Sequence, residues 1–417
     1  MTYFDLNIDL SSDDRALRDE AHKFAKEVIR PVASELDYLR ADEVVSDNSP
    51  LWPYLKKAYE LGYHRILLPE CHGGLGLSPL QTSLVYEELG WGSFGLSVLM
   101  AVVCFPFYMV CATNDDELID TFVKPFSECT DGSIRGCWAI TEPDHGSDVI
   151  AVGEECFSSP KMHGNIQARL YGDKWVINGQ KSSWVSGGTI ATHALLHVQI
   201  DPSKGFAGNG ICIVPLDLPG VTKGRPLRKM GQRDLNQGEI FFDDVHIPKN
   251  WMFVDPDFYV PMLDMILASA NLCMSMWSTG LARAAFEEAL SYTKARAQGG
   301  MPLSAHYSMK QRLFKMFSRV ETSRAVSRSV TNLNLNISPP IVEYSLLAKT
   351  HCSQMCYENA HDAIQILGGN GLTREYLTEK LFRDARATLI EDGNNETLAR
   401  HGGHILAETY PRAPLEF

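Results

Sequence analysis

Trp138-Ala139-Ile140-Thr141-Glu142-Pro143-Asp144-His145-Gly146-Ser147-Asp148 marks the place where the periodicity of the chain changes. Upstream, from about residue 10 to residue 132, apolar residues recur at helical spacing. Ser11-Ser12-Asp13-Asp14 supplies N-cap candidates for a first helix running through Leu36, and Pro53–Leu67 reads as a second. A glycine-rich turn from Pro69 to Pro79 precedes an apolar stretch that reads as a buried helix. Downstream, short runs rich in Val, Ile, Trp and Phe alternate with glycine turns as far as Pro248. Lys174–Ile177, Ala194–Ile200, Gly210–Pro215 and Glu239–Phe242 are examples, and the pattern is that of strands in a small sandwich or barrel. After Trp251 the helical period returns, over Met262–Ala295, Ser308–Val330, Ile341–Leu367, Arg383–Ile390 and Asn395–Ala407. The chain therefore reads as an α+β multidomain protein. Its expected parts are an N-terminal helical domain (1–132), a central β-sandwich or barrel domain (133–249) and a C-terminal helical bundle (250–417).

With 417 residues the chain is too long for one simple core, and its 45% hydrophobic and 21% charged residues are ordinary for a globular protein. The net charge of −13 argues against a nucleic-acid partner, since phosphate binding wants a basic footprint, and against an anionic membrane surface. The N-terminal stretch has no basic segment followed by an apolar one. No uninterrupted apolar run is seen to approach the roughly 18 residues of a spanning helix. The expectation is a cytoplasmic protein without membrane insertion. Ten cysteines are scattered without a C-x-x-C, as in a protein of reduced, mostly buried thiols. His351, Cys352 and Cys356 share a helix face, which reads as core packing rather than a metal site, and no metal is expected.

No phosphate loop, dinucleotide fingerprint or nucleophile elbow occurs. The stretch from Trp138 to Asp148 does, however, resemble the flavin-contacting signature of acyl-CoA dehydrogenases. Further segments agree in order: Ile177–Lys181, Met230-Gly231-Gln232-Arg233, Phe242–Pro248, Gln365-Ile366-Leu367-Gly368-Gly369-Asn370-Gly371 and Arg383-Asp384-Ala385-Arg386. The resemblance spans essentially the whole chain and implies non-covalent FAD. It places Trp138, Ile140 and Thr141 by the flavin ring, with Thr141 a hydroxyl donor, and Trp184 and Ser186 as an aromatic-and-hydroxyl pair beside it. Ser147 matches a residue near the pyrophosphate and the acyl carrier. Arg296, Gln298, Gln365, Gly368 and Gly369 match contacts to the FAD of a neighbouring subunit, so a homodimer or homotetramer is implied. Asn394 and Glu396 match polar cofactor positions after the catalytic loop. Asp384 beside Arg383 reads as an ion-pair element rather than a catalyst.

The implied reaction removes a weakly acidic proton next to a thioester carbonyl while hydride leaves the β-carbon for the flavin. That requires a carboxylate in an apolar site, where its pKa rises. The loop reads Leu389-Ile390-Glu391-Asp392-Gly393-Asn394. Asp392 stands where many members carry glutamate before glycine, with Glu391 the rival base and Gly393 against the substrate. Aspartate reaches about 1.5 Å less, one carbon–carbon bond, and misplacement on that scale can cost about 100-fold in rate. An alicyclic or branched acyl group would suit the shorter base. Other departures are Ala270 and Asn271 at positions often used around the catalytic loop, Gly299 in place of an aromatic residue, and a longer connection over Phe157–Gln167. An acyl-CoA substrate and an electron-transfer flavoprotein are the implied partners. The alternatives are a carrier-protein-linked dehydrogenase, a flavin oxidase or monooxygenase of the same fold, and a non-catalytic FAD-binding assembly subunit.

Overall fold

The computed structural model describes residues 5–410; residues 1–4 and 411–417, the outer ends of the first and last expected domains, lie outside it. Helix α1 (Ser12–Phe24) begins at a reciprocal cap. The Ser11 hydroxyl accepts from the Asp14 N–H at 3.1 Å, and the Asp14 carboxylate accepts from the Ser11 N–H at 3.0 Å. The helical path continues through one π-type turn into α2 (Arg30–Tyr38). Helix α3 (Leu51–Glu60) stops earlier than the reading to Leu67, because Gly62 takes a left-handed φ of 80° that ends the helix. Ser78 and Gln81 form a second capping box for α4 (Pro79–Gly92), and Ser93 caps α5 (Phe94–Cys111).

Helix α5 corrects one expectation. Its 18 residues are long and apolar enough to cross a membrane by composition, although no such run was expected. A helix apolar on every side needs an apolar environment on every side. Here the protein core supplies it, since 94% of that window is buried.

The C-terminal helices are α6 (Tyr259–Ala295), α7 (Tyr307–Asn334), α8 (Val342–Leu367), α9 (Thr378–Thr388) and α10 (Asn395–Thr409). Helix α6 is the axis against which α4, α7 and α8 pack. It meets α4 backbone to backbone. A Cβ on Gly90 would sit 2.5 Å from the Trp277 Cα, and one on Gly280 would sit 2.1 Å from the Glu87 carbonyl oxygen. Next to this crossing the buried Glu87 pairs with Arg283 and Arg324, each at 2.8 Å, locking the first helices to the last. Cys352 and Cys356, the pair that shared a face with His351, are fully buried core residues of α8.

Between the helical parts lies one eight-stranded sheet: β1 (Gly136–Ala139), β2 (Gln167–Tyr171), β3 (Lys174–Lys181), β4 (His193–Gln199), β5 (Asn209–Pro215), β6 (Val221–Lys223), β7 (Ile240–Pro248) and β8 (Met252–Val254). The order is β6-β7-β3-β2-β4-β5-β8, with β1 parallel to β4. The halves join through a single residue pair, Gln167 opposite Gln199. Both halves send alternate residues into one core: Ile177, Phe242 and Val245 from one, Cys137, Leu196 and Val214 from the other. The sheet thus folds over itself, as a sandwich does.

Candidate functional site

A cavity of about 490 Å³ opens where the sheet, α5 and the loop between α9 and α10 meet. Trp138, Ile140, Thr141, Ser147, Trp184 and Ser186 line it from the sheet side. Glu391, Asp392 and Gly393 line it from the loop.

Buried polar groups hold the sheet-side residues in place. The Trp138 indole N–H donates to His197 Nε2 at 2.9 Å, so the ring proton must sit on Nδ1, which donates to the Tyr259 hydroxyl at 3.0 Å. Burial drives the His197 pKa well down and keeps the ring neutral. Next along the chain, the Lys181 ammonium donates to the Ile140 carbonyl at 2.9 Å and to Glu142 at 3.1 Å. Both charges are almost wholly buried, and the backbone N–H of Asn165 satisfies the other Glu142 oxygen at 2.6 Å. The segment from Ile140 to Glu142 is therefore pinned from below. The Thr141 hydroxyl shares a 2.6 Å hydrogen bond with that of Ser182.

Beyond β3, Gln237 accepts from Lys229 Nζ at 2.7 Å through its oxygen. Its amide nitrogen is thereby turned toward Ser186, donating to the hydroxyl at 3.0 Å. Burial lowers the Lys229 pKa to about 8. The Trp184 indole is 60% exposed and Met230 56%, leaving a broad flat apolar surface at the cavity mouth. A planar aromatic group fits against this wall, with the Thr141, Ser147 and Ser186 hydroxyls at its edges.

The opposite side is the turn after α9. Asp392 adopts a left-handed φ of 52° and Gly393 a φ of 97°. The Asn394 side chain caps α10 by accepting from the Thr397 N–H at 2.8 Å, and its own N–H donates to the Ser147 hydroxyl at 3.2 Å. The turn is thus tied to the sheet side. The two acids differ in surroundings. Glu391 accepts a hydrogen bond from the Gln232 amide; burial first, then the neighbouring Asp392 charge, pushes its pKa up to about 8. Burial also raises Asp392, to about 6, against the opposing pull of the Lys349 ammonium. No hydrogen bond holds the Asp392 carboxylate among the described residues.

The single chain does not gather every expected residue. Arg296 follows α6 on the surface, and Gln298 lies exposed in a two-residue ladder opposite Met301. Gln365, Gly368 and Gly369 lie exposed at the end of α8, and a Cβ on either glycine would meet nothing within 4 Å. Glu396 is exposed in the first turn of α10. Conversely, Lys229, Gln232, Gln237, Val102, Val149, Ile150 and Arg386 line the cavity without having been singled out as site residues. Of these only Gln232, in the Met230–Arg233 motif, and Arg386, in the Arg383–Arg386 motif, lay in segments that carried the resemblance. Asp384 and Arg383 form ion pairs, with Lys380 at 2.6 Å and Asp37 at 2.7 Å, respectively.

The sequence matches the acyl-CoA dehydrogenase N-terminal domain over residues 11–126, the middle domain over 137–245 and the C-terminal domain over 262–406. The short-chain specific mitochondrial acyl-CoA dehydrogenase of Rattus norvegicus is 28% identical over 394 residues, covering 94% of this chain and 89% of the relative. Cyclohex-1-ene-1-carbonyl-CoA dehydrogenase of Geobacter metallireducens is 28% identical over 390 residues, covering 93% and 98%. Among solved structures, glutaryl-CoA dehydrogenase of Mycobacterium smegmatis in complex with FADH2 superposes with a TM-score of 0.82 at 22% identity, covering 98% of each chain.

Proposed function

The chain belongs to the acyl-CoA dehydrogenase family of FAD-dependent oxidoreductases, and from that premise we propose that it oxidises a compact acyl-CoA thioester with Asp392 as the base. The observation that carries this reading is the Asp392 carboxylate itself. It lines an apolar cavity, is free of hydrogen bonds among the described residues, and is raised by burial to about 6. A base with that pKa is ionised at neutral pH yet basic enough to accept a proton.

The cavity fits FAD. Trp138, Ile140 and Trp184 offer apolar wall, and the hydroxyls of Thr141, Ser147 and Ser186 face the same space. When bound, FAD supplies the acceptor for the β-hydride. Asp392 takes the α-proton on its carboxylate and becomes a carboxylic acid. Glu391 stays neutral at pH 7 and anchors the loop through Gln232. Val102, Val149 and Ile150 add apolar wall beside the base.

The compact acyl group, branched or alicyclic, is supported by the short aspartate and by the names of relatives acting on short-chain and cyclohexene-carbonyl thioesters. Arg296, Gln298, Gln365, Gly368 and Gly369 complete the cofactor site of a neighbouring copy in a homodimer or homotetramer. Their exposure on the single chain supports that placement. Electrons leave to an electron-transfer flavoprotein. The test is anaerobic titration of the yellow protein with butyryl-, isobutyryl-, cyclohex-1-ene-1-carbonyl- and palmitoyl-CoA. Compact thioesters should bleach the flavin and palmitoyl-CoA should not. A stable oxidised spectrum with every thioester supports the binding-only alternative.

A further inference from the structure

Lys349 is a fully buried lysine in α8, whose buried side also carries Glu343, Ser345, Ser353 and Asn359 among its apolar and thiol residues. A buried ammonium is costly unless its protons are used. It forms no salt bridge among the described residues. Instead Nζ donates to the Gly393 carbonyl at 2.8 Å and to Asn395 Oδ1 at 2.9 Å. Both acceptors lie just past Asp392. The Asn395 amide is held in turn, because its nitrogen donates to the Ser353 hydroxyl at 3.0 Å and to the Thr350 carbonyl at 3.4 Å. One face of α8 therefore grips the turn, and the Asn395 N–H closes it on the Leu389 carbonyl at 3.0 Å. A non-glycine residue in the left-handed region persists only when its surroundings over-determine it, and the Lys349 clamp is such a constraint on Asp392.

We propose that Lys349 is a positioning residue for the base: its ammonium clamps the turn that presents Asp392 and is a cation facing the Glu391–Asp392 carboxyl pair. The proposal rests on the reading of Asp392 as the base. The other ionisable groups around the pair are Lys229, which acts on Glu391 from the loop after β6, Asp384 in the same network from α9, Arg383 and Arg386 of α9, which line the same cavity, and the thiols Cys273 and Cys356. Burial keeps the thiols protonated. Burial lowers Lys349 to about 8, so it is charged at pH 7, and its charge lowers Asp392 against the larger effect of burial. Removing the charge leaves burial unopposed, and the base must then titrate at higher pH.

The test is rapid-mixing measurement of flavin reduction by butyryl-CoA across pH 5–10, with FAD content and assembly checked for each variant. Lys349→Met should slow reduction by about 10- to 100-fold, as loss of about 1 Å of positioning does, and should move the acid limb up by about one pH unit. Lys349→Arg should keep the limb in place. A slowed Lys349→Met enzyme with an unmoved limb overturns the proposal, because a merely structural lysine would behave that way. Where Lys349→Met is not recovered, Lys349→Gln takes its place: it keeps a hydrogen-bond donor for the turn but removes the charge, so it too should move the acid limb up, and an unmoved limb in that variant overturns the proposal. Asp392→Asn separates the two readings. Reduction surviving in that variant defeats the base assignment itself, whereas its loss together with an unmoved Lys349→Met limb defeats only the role of Lys349.

Discussion

Replacing Gly393 by alanine perturbs the turn without touching any charge. An added Cβ would lie 2.4 Å from Ile150 Cδ1 and 2.7 Å from Leu398 Cδ2, so both side chains must give way. Overpacking of this kind costs about 1–3 kcal/mol. The backbone adds to it: Gly393 has a φ of 97°, and a left-handed conformation costs an L-residue roughly 1–2 kcal/mol. The sum is about 2–5 kcal/mol, released in part by shifting the turn. A shift of about 1 Å at a catalytic group costs on the order of 100-fold in rate. Gly393→Ala should therefore melt several degrees below the wild type in a thermal scan at fixed heating rate. Its flavin reduction by butyryl-CoA should fall by about 100-fold while FAD is still bound. A variant that melts within about one degree of wild type and reduces flavin at the wild-type rate would show that Gly393 does not set the geometry of the base.

Glu391→Gln should change the reduction rate less than about fivefold at pH 7, since burial keeps the native side chain neutral below about 8; rapid mixing at pH 7 and pH 9 should show the two enzymes diverging only at the higher pH. Lys181→Met strands the Glu142 carboxylate in the sheet. Stranding a buried charge typically costs 3–5 kcal/mol, to be read as a lower melting temperature with loss of FAD. Arg296→Ala should leave the fold intact by circular dichroism but weaken FAD retention on dialysis, and light scattering of the wild type should report a dimer or tetramer.

The helix-strand-helix order was legible because it rests on periodicity alone. Element ends were less so. Helix α9 begins at Thr378 rather than near Arg383, because its first turns bury Thr378 and Lys380, polar residues that blur an apolar stripe. Helix α5 was hidden as a candidate span because Ser97 and Pro106 interrupt its apolar run, yet both are buried within it. At the site, Trp138, Thr141, Ser147, Trp184 and Ser186 were found through an ordered resemblance, and the cavity brings them together. Lys349 carried no comparable signal, and Gln232 only its place in the Met230–Arg233 motif. Their partners lie 44 and 159 positions away, and a polar residue bound for a buried network looks locally like any other. Arg296 and Gln365 lie exposed and away from the cavity of the single chain.

The central claim is that Asp392 removes the α-proton, and single-turnover flavin reduction in Asp392→Asn tests it most directly. The amide keeps the shape of the side chain and cannot accept the proton. The variant should bind FAD and butyryl-CoA as the wild type does and show no reductive bleaching over many wild-type half-times, whereas wild-type reduction should fall along an acid limb near pH 6. Bleaching of Asp392→Asn at the wild-type rate, with an acid limb near pH 6 still present in the variant, would contradict the account and move the base to another residue.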